Sequence, residues 1–131
     1  WMKRLSGLAA LPLIAGAALG EPLPFDGRWG WNVEACAYEP GESDMVPTVI
    51  ANGEILYYES LCTIESVEPI GGEGGSAWRV GLACGGEGET WKKKSILAID
   101  DGAGERRRQL IDIDMESGSV TVRQDCDWTG Q

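Results

Sequence analysis

The chain has 131 residues, with 21 acidic and 11 basic side chains and no histidine, so its formal net charge at pH 7 is −10. A charge of this sign repels nucleic-acid phosphates and anionic lipid head groups, so we expect no nucleic-acid partner and favour a basic one. The length is that of one small domain with a modest core.

The first twenty residues have the pattern of a secretory signal peptide. Lys3 and Arg4 precede an apolar run over residues 5–19, and the small residue Gly20 ends the segment at the predicted cleavage point. The run is short for a membrane span. We therefore expect residues 1–20 to be removed on export, which makes the mature chain periplasmic or secreted, with no direct membrane insertion.

Trp1 is not a normal initiator, and we interpret it as an artefact of the gene start that precedes Met2. The signal segment also carries two of the 11 basic residues and no acid. The mature chain, which begins at Glu21 in this interpretation, keeps nine basic side chains against 21 acidic ones, a net charge of −12.

Beyond the signal segment, short alternating apolar runs separated by glycines predict β-strands. Residues 21–26 contain two prolines and are predicted to form an extended N-terminal arm, ahead of a single β domain over residues 27–131. The first strands are predicted at residues 28–33 and 46–51. Asn52-Gly53 then supplies the two left-handed residues of a tight hairpin turn.

The chain after this turn alternates without another turn residue. Residues 54–68 are therefore predicted to form either one long bent strand or two strands separated by a bulge. A glycine-rich loop over residues 69–76 then reverses the chain. The remaining predicted strands are separated by short polar turns and cover residues 77–84, 90–99, 107–114 and 119–124.

Seven or eight strands joined by short local turns predict an all-β fold, a small antiparallel meander. Closing such a sheet into a barrel removes the exposed edges that invite aggregation, so we expect a closed or tightly curled barrel. A two-sheet sandwich is the alternative, and it needs longer crossing connections than this chain offers.

The chain has four cysteines: Cys36, Cys62, Cys84 and Cys126. An even number in an oxidising compartment predicts two disulfides. If the glycine-rich loop centres a hairpin, Cys62 faces Cys84 and Cys36 is left to pair with Cys126. The alternative pairs Cys36 with Cys62 and Cys84 with Cys126. No metal or other cofactor is expected, because the chain has neither paired C-x-x-C spacings nor histidine.

Gly27-Arg28-Trp29, at the start of the first predicted strand, resembles the G-x-W entry of lipocalin-like (calycin) barrels. The resemblance implies that Trp29 closes one end of the barrel and that a basic residue of the last strand, here Arg123, packs over it. Small periplasmic inhibitors of secreted metalloproteases use a similar compact barrel with an N-terminal arm, which residues 21–26 resemble.

Two sets of side chains are candidates for binding. Trp29 and Trp31 share one strand face, where aromatic side chains either line a ligand pocket or fill the core. The second set consists of two basic runs on neighbouring strands of one predicted hairpin, Lys92-Lys93-Lys94 and Arg106-Arg107-Arg108. These side chains form either a cationic patch or a charge balance for nearby acids.

Three acids at alternating positions, Asp112, Asp114 and Glu116, place their carboxylates on one strand face. They form either a solvated acidic face or the beginning of a calcium site. An EF-hand loop needs Gly and Glu where this chain has Ser117 and Arg123, which favours the solvated face.

Catalysis is not expected, because the chain has no histidine, no G-x-S-x-G motif and no cysteine left over from the predicted disulfides. We therefore predict a non-catalytic periplasmic binding protein with another protein as its partner, in its specific form a hydrolase inhibitor. Two alternatives stay open: an accessory subunit of a larger envelope or membrane complex, and a carrier of a small apolar ligand, which requires a hollow barrel.

Overall fold

The computed structural model describes residues 21–39, 42–72 and 74–129, so the predicted signal peptide lies outside it. Eight antiparallel strands form a closed barrel in chain order, and β1 pairs with β8 to complete it. This confirms the all-β meander. The strands are β1 (Gly27–Gly30), β2 (Thr48–Ala51), β3 (Glu54–Tyr57), β4 (Ser60–Pro69), β5 (Ala77–Gly86), β6 (Glu89–Asp100), β7 (Gln109–Asp114) and β8 (Val120–Asp125).

The two ends of the barrel carry different connections. At the lower end lie residues 21–26, the β4–β5 loop and the β6–β7 loop. At the upper end lie the β3–β4, β5–β6 and β7–β8 turns and the long β1–β2 connection, which contains a short 3-10 helix at Glu34–Ala37. Within the described ranges, no helix has the length and apolarity needed to cross a membrane.

Two tight turns join β2, β3 and β4. The first is Asn52-Gly53, whose φ angles of 56° and 77° confirm the predicted hairpin turn. The second, at Tyr58-Glu59, corrects the expectation of one long strand or a bulge at this point. Glu59 takes a φ of 63° there, and because few side chains adopt that conformation, a glutamate does not signal such a turn.

The barrel interior contains an apolar core, because alternate residues of each strand point inward. Phe25 and Trp29 are fully buried in it, and the ring of Phe25 lies 5.4 Å from that of Trp78. The buried cluster consists of Phe25, Trp29, Ile50, Ile55, Cys62, Ile64, Val80, Leu82, Cys84, Leu97, Ile99 and Leu110.

Residues 21–26 do not form the separate extended arm that the prolines predict. The amide of Asp26 donates to the carbonyl of Leu23 at 3.0 Å, and the Leu23 amide donates to the Asp26 carboxylate at 3.1 Å, so the segment turns back on itself. Phe25 then enters the core. Burial of this aromatic ring outweighs the extended preference of the prolines, and the segment is part of the barrel.

Both predicted disulfides form, in the first of the two pairings. Cys62 and Cys84 are directly opposed on β4 and β5, and both lie in the core. Cys36 pairs with Cys126, which ties the 3-10 helix to the residues after β8 across a sequence separation of 90. A register shift between Ile64 and Ser66 follows Cys62, so it leaves the opposed cysteines undisturbed.

Candidate functional site

Trp29 is fully buried in the core, but the basic residue over it is not Arg123, the one that the G-x-W resemblance implies. The indole Nε1 donates to the carbonyl of Phe25 at 3.0 Å, and the guanidinium of Arg108 lies 5.3 Å from the ring. Arg123 instead lies 4.8 Å from the ring of Trp31. The predicted packing is therefore corrected: Arg108, which precedes β7, occupies the place expected for Arg123.

Trp29 and Trp31 do not line one pocket. Trp29 is fully buried in the core, whereas 42% of Trp31 is exposed near the upper end. Trp31 instead covers one side of a buried polar cluster, which we define as Tyr57, Lys93, Asp112 and Arg123.

The polar cluster is held together by charge and hydrogen bonding. Arg123 and Asp112 form a salt bridge at 3.5 Å, with side chains only 9% and 10% exposed. The Tyr57 hydroxyl donates to the Asp112 carboxylate at 3.3 Å, and the Lys93 ammonium lies 5.1 Å from the Tyr57 ring. Burial, followed by the negative charge of Asp112, raises the pKa of Tyr57, so the phenol stays protonated as the donor.

The arginine run lies in the β6–β7 loop and at the lower end. Arg106 forms a salt bridge with Asp100 at 2.6 Å, and Arg107 donates to the carbonyl of Asp125 at 2.9 Å. Arg108 forms a salt bridge with the Asp125 carboxylate at 3.3 Å. Each of the three guanidinium groups therefore makes an intramolecular salt bridge or hydrogen bond.

The lysine run lies on β6, six or more residues before the end of the strand. The Lys92 ammonium is 3.0 Å from the Glu65 carboxylate, and that of Lys93 is 3.9 Å from the Asp114 carboxylate. Lys94 is exposed. At a rise of about 3.3 Å per residue, the two basic runs lie about 20 Å apart along the hairpin, and the structure does not bring them together in one patch.

The three alternating acids also serve separate purposes. Asp112 belongs to the polar cluster. The Asp114 carboxylate accepts the amides of Glu116 and Ser117 at 2.9 and 3.0 Å in the β7–β8 turn, and these hydrogen bonds, first that of Ser117, lower its pKa. Within the described ranges, no group of three or more acidic or cysteine side chains is arranged to hold a metal ion.

A groove of about 940 Å³ lies between residues 38–39 and 42–47 on one side and the outer face of β2 and β3 on the other. Its floor contains Val49 and the half-exposed side chain of Leu56, and Tyr58 is half exposed beside them. We call it the acidic groove, because four carboxylates line it: Glu39, Glu42, Asp44 and Glu59.

The acids at the groove surround Tyr58. A hydrogen bond to the Glu59 carboxyl and the nearby charges of Glu59, Asp44 and Glu87 raise the pKa of the Tyr58 phenol. A hydrogen bond between the carboxyl groups of Glu59 and Glu87 raises the pKa of Glu87. Tyr58, Glu59 and Glu87 line one surface where the β3–β4 and β5–β6 turns meet.

The sequence does not predict this groove, because one wall is an irregular segment without strand periodicity. A weak signal exists in the alternation of residues 54–58: Ile55 and Tyr57 point inward, which leaves Leu56 and Tyr58 on the outer face. Two large apolar side chains on the solvent face of a hairpin indicate a contact surface.

No family model matches the chain, and no match is found among curated proteins or among solved structures. The closed barrel of eight antiparallel strands is compatible with a lipocalin-like fold.

Proposed function

We propose that the mature chain is a non-catalytic periplasmic binding protein whose partner is another protein. The observation that carries the proposal is the acidic groove, which exposes 46% of Leu56 and 50% of Tyr58 on the outer face of the barrel. Exposed apolar and aromatic side chains grouped around a concavity are typical of interaction surfaces.

The barrel interior supports this proposal over a carrier of a small apolar ligand. The interior contains the apolar cluster, the Cys62–Cys84 disulfide and the Asp112–Arg123 salt bridge. An apolar ligand inside the barrel would have to displace packed side chains and face an ion pair. The outer groove requires no such rearrangement.

The basic runs are a weaker candidate for the contact surface. Five of their six side chains make intramolecular salt bridges or hydrogen bonds, the exception being Lys94. An inhibitor that inserts a free N-terminal arm is also disfavoured, because Phe25 is fixed in the core. A hydrolase inhibitor would therefore contact its enzyme through the groove.

The test is retention of proteins from a periplasmic extract on the immobilised mature protein. We expect the double variant Leu56→Ser, Tyr58→Ser to lose partners that the wild type retains. The control is Val120→Ser, Val122→Ser, which removes two other exposed apolar side chains, 58% and 40% exposed on β8. Identical retention by all three proteins would reject the groove as the contact surface.

Once a partner is retained, its hydrolytic activity distinguishes a hydrolase inhibitor from an accessory subunit. An inhibitor lowers the hydrolytic rate of the enzyme it captures, and the groove variant fails to do so. An accessory subunit leaves that rate unchanged and fractionates with membranes together with its complex.

A further inference from the structure

We propose that the acidic groove binds an extended peptide segment in which lysine or arginine side chains stand next to an apolar anchor. This inference rests on the proposed function, which supplies a protein partner but not the chemistry of the segment that is recognised.

The first argument is unpaired negative charge. The eight salt bridges among the described residues involve none of the four groove carboxylates. Among the described residues, Arg28 is the one basic side chain that lines the groove, and its guanidinium is held by the Cys36 carbonyl at 2.7 Å and the Asp127 carboxylate at 3.4 Å. The groove therefore attracts cationic side chains and repels anionic ones.

The second argument is the apolar floor. Leu56 and Val49 face each other across β2 and β3 on the outer face, and Leu61 faces Leu56 from β4. In this row of side chains, Leu56 is 46% exposed and Leu61 is 42% exposed. A purely polar cation would leave this row in water, whereas an aliphatic or aromatic anchor would cover it.

The third argument is the elongated outline of the surface. A second depression of about 340 Å³ shares Tyr58 and Glu59 with the groove and continues to Glu87, Glu89 and Trp91. Acidic and aromatic side chains thus continue over the β3–β4 turn to the β5–β6 turn. A chain of several residues spans both depressions, and its ammonium or guanidinium groups are attracted by aromatic faces as well as by carboxylates.

The experiment measures fluorescence anisotropy of three labelled heptapeptides with the mature protein. The cationic probe is Lys-Leu-Lys-Trp-Lys-Leu-Lys; the second probe replaces each lysine by glutamate, and the third replaces leucine and tryptophan by serine. We expect binding of the first probe alone, weakened as salt screens the charges.

Two variants with the same change in net charge locate the binding. The groove variant is Glu39→Gln, Glu42→Gln, Asp44→Asn, Glu59→Gln. The control variant neutralises four exposed acids outside the groove: Glu34→Gln, Glu54→Gln, Glu105→Gln, Glu116→Gln. At low salt we expect the groove variant to lose about tenfold in affinity for the cationic probe, and the control to change by less than about twofold.

Equal weakening by both variants would show a general attraction to an acidic protein and would overturn the inference. Binding of the serine or glutamate probes as tightly as the cationic one, or no binding of any probe, would overturn it as well. If extract partners still depend on Leu56 and Tyr58 in that case, the protein-binding function stands and only the assigned chemistry is wrong. If that dependence is also absent, both proposals fail.

Discussion

Trp29 and Trp128 each have an arginine over the ring but differ in burial. Each ring carries a guanidinium 5.3 Å from its centroid, that of Arg108 over Trp29 and that of Arg107 over Trp128. Trp29 is fully buried in the core, whereas Trp128 is only partly covered. Comparing the two therefore separates the effect of burying an indole from that of a cation–π contact.

We expect Trp29→Ala to lower the free energy of unfolding by about 3–5 kcal/mol, because it removes buried surface and leaves a cavity. Trp128→Ala, which also removes an arginine–indole contact, should cost about 1 kcal/mol or less. Urea unfolding of both variants checks this expectation. Similar losses for the two would show that Trp29 does not anchor the core.

The polar cluster predicts a dependence of stability on alkaline pH. The pKa of Tyr57 in the folded protein is raised above the 10.0 of an unperturbed tyrosine. The folded state thus holds this proton more tightly than the unfolded state. The resulting stability is fully present below pH 10 and is lost as the pH rises through the folded pKa.

We therefore expect Tyr57→Phe to flatten the loss of stability above pH 10, at the cost of about 1 kcal/mol at neutral pH for the hydrogen bond to Asp112. Tyr38→Phe, which removes an exposed phenol, is the control. Unfolding free energies between pH 7 and 11 give the measurement. If the unfolding free energy of Tyr57→Phe falls above pH 10 as steeply as that of the wild type, the Tyr57 hydroxyl is not the source of the alkaline loss of stability.

At the level of elements, the sequence is most informative where turn residues have a specific backbone requirement. Asn52-Gly53 supplies two left-handed residues and is found as predicted. The Tyr58-Glu59 turn lacks such residues, and its geometry is imposed by pairing: β3 and β4 are antiparallel, and Tyr57 faces Ser60. Tertiary pairing thus fixes a turn that local preference does not indicate.

The same limit applies to the candidate site. Alternation predicts which residues of a strand share a face, but it does not say which side chains of other strands they meet. The G-x-W resemblance implies that Arg123 packs over Trp29, whereas its guanidinium lies over Trp31. The groove wall, residues 38–39 and 42–47 among those described, has no strand periodicity, so only the assembled barrel brings its acids beside Leu56.

The lysine run has a structural role as part of a sheet edge. Residues 89–93 of β6 pair with β5, whereas pairing with β7 begins at Ser95. Unpaired backbone groups on such an edge can accept a second chain, and charged side chains, lysine above all, oppose this. Lys92, whose side chain is 73% exposed, stands on this edge, whereas Lys93 belongs to the polar cluster, so neither lysine requires a ligand.

At the scale of the whole molecule, acidic side chains lie at both ends of the barrel but differ in their pairing. The arginine run is paired with acids at the lower end, whereas none of the salt bridges among the described residues involves a groove carboxylate. The local charge at the groove is therefore negative. Such a local field directs a basic partner to the groove during diffusional encounter.

The two disulfides differ in how deeply they are buried. Cys62 and Cys84 are 1% and 4% exposed in the core, whereas Cys36 and Cys126 are partly exposed and hold the β1–β2 connection to the end of the chain. Because a reductant must reach the sulfur atoms, we expect mild reduction without denaturant to open the Cys36–Cys126 bond first.

Alkylation followed by peptide mapping should then find label on Cys36 and Cys126, with all four cysteines labelled only in denaturant. The unreduced protein in denaturant is the control, and it should give no label, since all four cysteines are paired in the structure. Opening the outer bond releases a cross-link that spans 90 residues, which costs about 4–5 kcal/mol of stability. It also frees the wall of the acidic groove, so the reduced protein should bind the cationic heptapeptide more weakly. Simultaneous labelling of all four cysteines under native conditions would contradict the burial of Cys62 and Cys84.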